Sequence, residues 1–190
     1  MEIVFSILIG LGLSAACGFR VFIPLLVAGI GIHAGALHPA PDFTWLGSTP
    51  ALIGFGTATI LEIAAFYIPW LDNTLDVAAT PAAVIAGTVV AGSFIVDMNP
   101  WARWSLSLIA GGGLAAAVQT GTMGLRGLSL AGTGGLANPI VSTLEWFAAT
   151  LTSLLAVLAP VLLLASGLVF VGMLWFVWQR HQASSSIQKR

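Results

Sequence analysis

The chain has 190 residues, of which 58% are hydrophobic and 7% are charged, and its mean hydropathy is +1.01. Soluble domains are about 45–50% apolar and about 25% charged, so this composition excludes a water-soluble fold and predicts an all-α, polytopic membrane protein. The net charge of −1 and the lack of a basic stripe exclude a nucleic-acid partner. The length predicts one transmembrane domain over residues 1–180, followed by a polar, disordered tail over residues 181–190.

The first apolar stretch covers residues 3–32 and is too long for one straight crossing. A helix rises about 1.5 Å per residue, and about 20 residues cross a bilayer. We therefore expect a first helix that is strongly tilted or is broken near Gly18 and Pro24. Cys17 lies in this stretch, but the start MEIVFS has Glu2 and no Lys or Arg, so we do not expect an export signal.

Five further spans are predicted, which gives about six in total. The fourth fades into a glycine-rich stretch over residues 121–135, and Pro160 divides the last long apolar run because proline interrupts a helix. The predicted spans are residues 51–70, 81–96, from 105 onward, 139–159 and 160–178.

The basic residues predict the orientation of the chain. An even number of spans places both termini on the same side of the membrane. Arg180, Lys189 and Arg190 lie together near the C-terminus, and cytoplasmic segments are enriched in Lys and Arg. We therefore expect a multi-pass protein of the bacterial inner (cytoplasmic) membrane with both termini in the cytoplasm.

The two halves of the chain resemble each other weakly. CGFR ends at Arg20 and MGLR ends at Arg126; TILEIAAF surrounds Glu62 and STLEWFAA surrounds Glu145. A third match, TPAAVIAG with APVLLLASG, keeps the same order.

Each half has three predicted spans, an odd number, so a second copy would enter the membrane in the opposite direction. The matches therefore predict a 3+3 inverted-topology repeat, an arrangement of many transporters, with repeat one over about residues 3–97 and repeat two over about residues 104–178.

Three segments, GLGLSAACGFRVFIPLL, LEIAAFYIPWLDNTLD and NPIVSTLEW, resemble a family of small bacterial membrane proteins catalogued as domain of unknown function four-one-two-six. The resemblance extends from about Leu8 to Val161 and implies a helical membrane fold. It also implies that certain charged positions recur: Arg20, Glu62, Asp72 and Glu145.

The chain departs from the family pattern at Tyr67 and Ile68, where relatives carry a basic residue, and at Trp146, where relatives often carry Asp. The family has no assigned activity.

Four ionisable side chains fall inside predicted spans, where each charge costs about 2.5–3.5 kcal/mol on insertion scales. A pseudo-two-fold axis would bring them together as two Arg–Glu pairs: Arg20, Glu62, Glu145 and Arg126. They could line a pathway, either by attracting an anion or by relaying protons or binding a cation. They could equally be neutralising pairs that hold the two halves together.

Asp72 and Asp76 are four residues apart and would share one face of a helix. They could bind a cation at the mouth of a pathway, or simply belong to a solvated connector.

The GTMGLRG stretch near Arg126 would be a second unwound segment, the counterpart of the break at Gly18. His33 and His38, with Asp42 nearby, match no specific metal-ligand spacing, so no metal site and no cofactor are predicted.

No catalytic motif is present, so the chain is not expected to be an enzyme. The leading hypothesis is a transporter or channel-like protein that moves an ion or small polar solute. The alternative is a non-catalytic accessory subunit of a larger membrane assembly. The expected partners are therefore the lipid bilayer, an ion or small solute, and either further copies of the chain or a larger membrane complex.

Overall fold

The computed structural model describes residues 2–65, 69–134 and 136–187, and throughout these ranges the regular structure is helical with no strand. The elements in chain order are α1 (Glu2–Cys17), α2 (Phe22–His33), the 3-10 helix (Pro41–Gly47), α3 (Thr49–Ala65), α4 (Pro69–Phe94), α5 (Pro100–Leu106), the π-helical segment (Ser107–Gly112), α6 (Gly113–Thr133), α7 (Asn138–Leu158) and α8 (Pro160–Ile187).

Two helical stretches are long and apolar enough to cross a membrane, Pro100–Thr133 and Asn138–Leu158. A third crossing results if Pro41–Gly47 and Thr49–Ala65, which meet at an angle of 59°, form one bent span. These helices identify the chain as a helical membrane protein. The further apolar stretches that the described ranges contain have 10–17 residues, so the arrangement with six spans stays a prediction.

The helix of the first apolar stretch is broken near Gly18, one of the two positions at which the sequence predicts a break. Helix α1 ends at Cys17 and α2 begins at Phe22, so Gly18 lies in the break. Pro24 lies inside the first turn of α2 instead. Proline is tolerated there because the first amide groups of a helix have no partner within the helix.

After this break the chain turns back. The start of α1, at Ile3 and Ser6, lines the same cavity of about 400 Å³ as His38 and Pro39, which follow α2. Helices α1 and α2 therefore form a hairpin, with its tip at residues 18–21. With 16 and 12 residues, the arms are about 24 Å and about 18 Å long, and a hydrocarbon core is about 30 Å thick. Neither arm is long enough to cross.

Helix α1 packs closely against α4 in the opposite direction. A Cβ on Gly10 would lie 3.2 Å from Phe94 Cβ, and the Ser14 hydroxyl lies 2.7 Å from the carbonyl oxygen of Gly87. Small residues allow this approach, as is common between membrane helices. The buried core of the protein lies along this contact and continues into the π-helical segment, where a Cβ on Gly111 would lie 2.4 Å from Ala91 Cβ.

Helix α6 runs parallel to α1, because it too is antiparallel to α4. Ala115 lies beside Gly87, and the Thr80 hydroxyl donates to Met123 Sδ at 3.3 Å. In the predicted inverted repeat the segments that end at Arg20 and Arg126 would run in opposite directions, so the observed course differs from that prediction.

Three further segments are more helical than predicted. The GTMGLRG stretch is continuous helix within α6. Backbone without access to water must form its own hydrogen bonds, and this requirement outweighs the low helix propensity of glycine. The connector with Asp72 and Asp76 belongs to α4, although their side chains lie outside the described part. Helix α8 begins at Pro160 as predicted and continues to Ile187, so it extends into the segment that was predicted as a polar tail.

The hairpin tip packs closely against α6 at Gly18. A Cβ on Gly18 would lie 2.5 Å from the carbonyl oxygen of Ala115 and 2.6 Å from Val118 Cβ. Overpacking of this kind costs about 1–3 kcal/mol. We expect Gly18→Ala to lower the thermal unfolding midpoint of the purified protein. The matched control is Gly54→Ala in α3, where a Cβ would meet nothing within 4 Å. Equal midpoints for the two variants would contradict the contact.

Candidate functional site

Glu145 lies between two arginines in the interior of the helical bundle. Its Oε2 lies 3.0 Å from a terminal guanidinium nitrogen of Arg20. Arg126 donates from Nε to Glu145 Oε1 at 3.0 Å and from its terminal nitrogen to Oε2. Arg20, Arg126 and Glu145 are only 3%, 8% and 4% exposed. One carboxylate therefore bridges two guanidiniums in a dry environment, where ionic hydrogen bonds are strong.

The hairpin tip positions Arg20 in this bridge. The backbone N–H of Arg20 donates to the Ala16 carbonyl at 3.2 Å, which ends α1 with a tight turn. The side chain then points toward α7, where it also donates to the carbonyl of Ser142 at 3.1 Å. Because Gly18 brings the tip against α6, the Arg20 guanidinium lies near the Glu145 carboxylate that Arg126 of α6 also binds.

Glu62, on α3, stabilises the other side of the tip. Its Oε1 accepts from the backbone N–H of Val21 at 2.9 Å, and its Oε2 accepts from that of Phe22 at 3.2 Å. These are the first amide groups of α2, which have no partner inside that helix. A carboxylate at a helix N-terminus also interacts favourably with the helix dipole. Glu62 thus caps α2 from a different helix.

The four predicted central residues converge, but in a different pairing from the one predicted. Two separate Arg–Glu pairs were expected; instead Glu145 bridges Arg20 and Arg126, and Glu62 binds backbone amides. Glu62 remains within electrostatic range of both Arg20 and Glu145. The prediction failed here because it treated arginine side chains as the partners of buried carboxylates and overlooked the amide donors that a helix break exposes. When both glutamates are ionised, the four side chains have no net charge.

A second ion pair lies at the opposite end of α1, outside the predicted central site. Arg103 donates to Asp42 Oδ2 at 2.9 Å, and its guanidinium lies 5.5 Å from the ring centre of Phe43. Asp42 had been considered only as a possible metal ligand with His33 and His38. His33 instead bonds through Nδ1 to the Gly47 carbonyl at 2.8 Å.

Sequence reasoning missed two contacts of the site. The Ser142 carbonyl that binds Arg20 carries no sequence signal, since any residue supplies a carbonyl. The amides that bind Glu62 could have been anticipated from the predicted break, because a new helix start always exposes donors. Among the described residues, no group of three or more His, Cys, Asp and Glu side chains could hold a metal ion. The proposed mouth residues Asp72 and Asp76 cannot be placed, because their side chains lie outside the described part.

The bundle and its buried charges define a helical membrane protein with ionised groups in its interior. The chain belongs to the family described as Domain of unknown function (DUF4126), whose family model matches residues 7–180. No curated protein and no solved structure matches the chain.

Removal of one partner from the buried bridge leaves a charge without compensation. We expect Arg126→Gln to lower the free energy of unfolding by about 3–5 kcal/mol, the usual cost of breaking a buried pair. Asp42→Asn is the matched control: Asp42 is 72% exposed, and exposed pairs contribute only about 0–1 kcal/mol. Thermal and denaturant unfolding of both variants in detergent measures the difference. If Arg126→Gln is no more destabilising than Asp42→Asn, the bridge does not stabilise the fold.

Loss of the Glu62 carboxylate should expose the start of α2. Glu62→Ala removes both acceptors of the Val21 and Phe22 amides, and loss of a capping side chain costs about 0.5–2 kcal/mol. We expect faster hydrogen exchange at these two amides. Glu62→Gln is the control, because its amide oxygen can still accept one of the two bonds. Unchanged exchange in Glu62→Ala would show that the cap is not formed.

Proposed function

We propose that this chain is a multi-pass protein of the bacterial inner membrane that moves an ion or small polar solute past the tip of the α1–α2 hairpin. The observation that best supports this proposal is the break itself, with Arg20 and the amide start of α2 inside the bundle. Transporters commonly place their sites at such broken helices, where helix ends interact with charged solutes. The proposal assigns the chain no catalytic reaction.

The length of the hairpin arms supports a site at depth in the membrane. If α1 enters from one surface, its roughly 24 Å length places Cys17 beyond the middle of a core about 30 Å thick. Non-helical backbone at this depth is tolerated only inside protein or beside a water-filled cavity. Buried charges at such a place are a functional hypothesis by default, because each is expensive.

The orientation is part of the same proposal. Arg180, Lys189 and Arg190 near the C-terminus favour a cytoplasmic location for that end. The same side for the N-terminus, which followed from six crossing spans, is not part of the proposal, because the hairpin arms α1 and α2 are too short to cross. The inverted 3+3 repeat is not part of the proposal, because α1 and α6 run in parallel.

A second candidate function is an accessory subunit of a larger membrane assembly. It is favoured by α8, in which Leu162, Leu168 and Val171 are each more than 60% exposed. A helix that packs so little against its own bundle presents an apolar face to lipid or to a partner helix. In this case the bridge at Glu145 would only hold α6, α7 and the hairpin together.

The two candidates differ in whether a solute moves. We expect the full chain in proteoliposomes to transport at least one member of a panel of labelled anions, cations and protons. Arg20→Gln and Glu62→Gln should reduce the initial rate strongly, because both alter the charge at the hairpin tip. Arg103→Gln is the matched control for Arg20→Gln, since Arg103 lies at the other end of α1.

Each preparation must elute as a single folded species before its rate is compared. If the folded wild-type chain moves no solute of the panel, the transport proposal fails and the accessory role replaces it. Equal rates for Arg20→Gln and Arg103→Gln would place the pathway elsewhere.

A further inference from the structure

The bridge at Glu145 has the geometry of an anion-binding site that the protein fills with its own side chain. A guanidinium recognises planar or tetrahedral oxyanions through parallel N–H donors. Here Arg126 donates twice to the Glu145 carboxylate, and Arg20 approaches Oε2 at 3.0 Å. The carboxylate thus marks a position where two buried arginines converge on one oxyanion.

We propose that the transported solute is a small oxyanion, a carboxylate or a phosphate monoanion, that moves together with one proton. This inference rests on the proposed function and names its substrate class. Glu145 binds and releases the proton, and the anion takes its place between Arg20 and Arg126.

The charge balance of the site requires a proton to accompany a monovalent anion. Two arginines and two ionised glutamates carry no net charge, so an anion that entered alone would leave one excess negative charge in a buried site. Such a charge is expensive at low dielectric. An anion that enters with one proton restores neutrality.

The side chains that face Glu145 come from each neighbouring element. Among the described residues, these are Arg20 at the hairpin tip, Arg126 on α6 and Glu62 on α3. None of them besides Glu62 can serve as a second carboxylate.

The transport step involves one O–H bond. A proton from the entry side binds a Glu145 carboxylate oxygen, and the neutral side chain withdraws from the guanidiniums. The anion then binds Arg20 and Arg126. On the exit side the anion leaves, the O–H bond breaks, the proton follows the anion, and the Glu145 carboxylate returns to both arginines.

Glu145 suits this step better than Glu62. Withdrawal of Glu62 would leave the amides of Val21 and Phe22 without acceptors, and the anion would have to replace a cap at a helix start. In contrast, an anion that replaces Glu145 restores a counter-charge to both guanidiniums, and no helix start loses its cap.

The test uses purified full-length chain in proteoliposomes with three labelled probes: inorganic phosphate, gluconate and rubidium ion. An inward proton gradient should drive accumulation of phosphate or gluconate, and the probe that accumulates identifies the oxyanion as phosphate or carboxylate. The rate should not depend on the membrane potential, because anion and proton move together without net charge. Rubidium should not accumulate.

Glu145→Gln separates the two roles of the site. The amide has nearly the same shape but exchanges no proton, so exchange of labelled for unlabelled anion should continue while proton-driven accumulation falls to the level of protein-free liposomes. Asp42→Asn, which removes a carboxylate from the exposed Arg103 pair, should retain both activities. Wild-type accumulation by Glu145→Gln would overturn the inference.

A second measurement needs no variant, in case Glu145→Gln does not fold. In weakly buffered detergent solution, gluconate or phosphate binding to the wild-type chain should take up about one proton per anion from solution. Anion binding without proton uptake, or no anion binding at all, overturns the inference. Two other results also overturn the inference but leave the proposed transport function standing. One is transport of rubidium without transport of an anion, and the other is anion transport that responds to membrane potential. If none of the three probes and no proton moves, the proposed function fails as well.

Discussion

The bridge from Arg20 through Glu145 to Arg126 connects parts of the molecule that are far apart in sequence. It joins the hairpin tip, α6 and α7 at one point, with all three side chains less than 10% exposed. A charge in this environment is tolerated only beside its counter-charge. The three elements therefore cannot separate without leaving an ion unpaired, and this constraint fixes the depth of the hairpin in the bundle.

Close backbone contacts make this convergence possible. Gly18 allows the tip to approach Ala115, and Gly87 and Gly111 allow α4 to approach the π-helical segment. The Ser14 hydroxyl closes the same contact by bonding to a carbonyl of α4. Without a hydrophobic driving force between membrane helices, such packing and hydrogen bonding supply much of the association energy. The small residues around the hairpin thus both position Arg20 and stabilise the core.

Much of this arrangement could be anticipated from the residues themselves, because a charged side chain in an apolar run needs a partner. Arg20, Glu62, Arg126 and Glu145 stood out for this reason, and Gly18 indicated the break. The reversal of the chain at the break could not be predicted, because hydropathy has no direction and the turn is stabilised by distant groups on α3 and α6. The pairing could not be predicted either, because the break exposes amide donors but the choice of Glu62 as their acceptor depends on how α3 packs against the hairpin tip.

The hairpin has a further consequence for how the site forms. Its arms are too short to cross a bilayer, so they are stable at depth only when other helices surround the tip. The amides at the start of α2 are satisfied by Glu62 on α3, whereas Arg20 finds its carboxylate only on α7. The tip is therefore held by two carboxylates, one on a helix close in sequence and one on a distant helix. Because both contacts involve a charged group, they are also the contacts for which a proton or an anion would compete in the proposed transport.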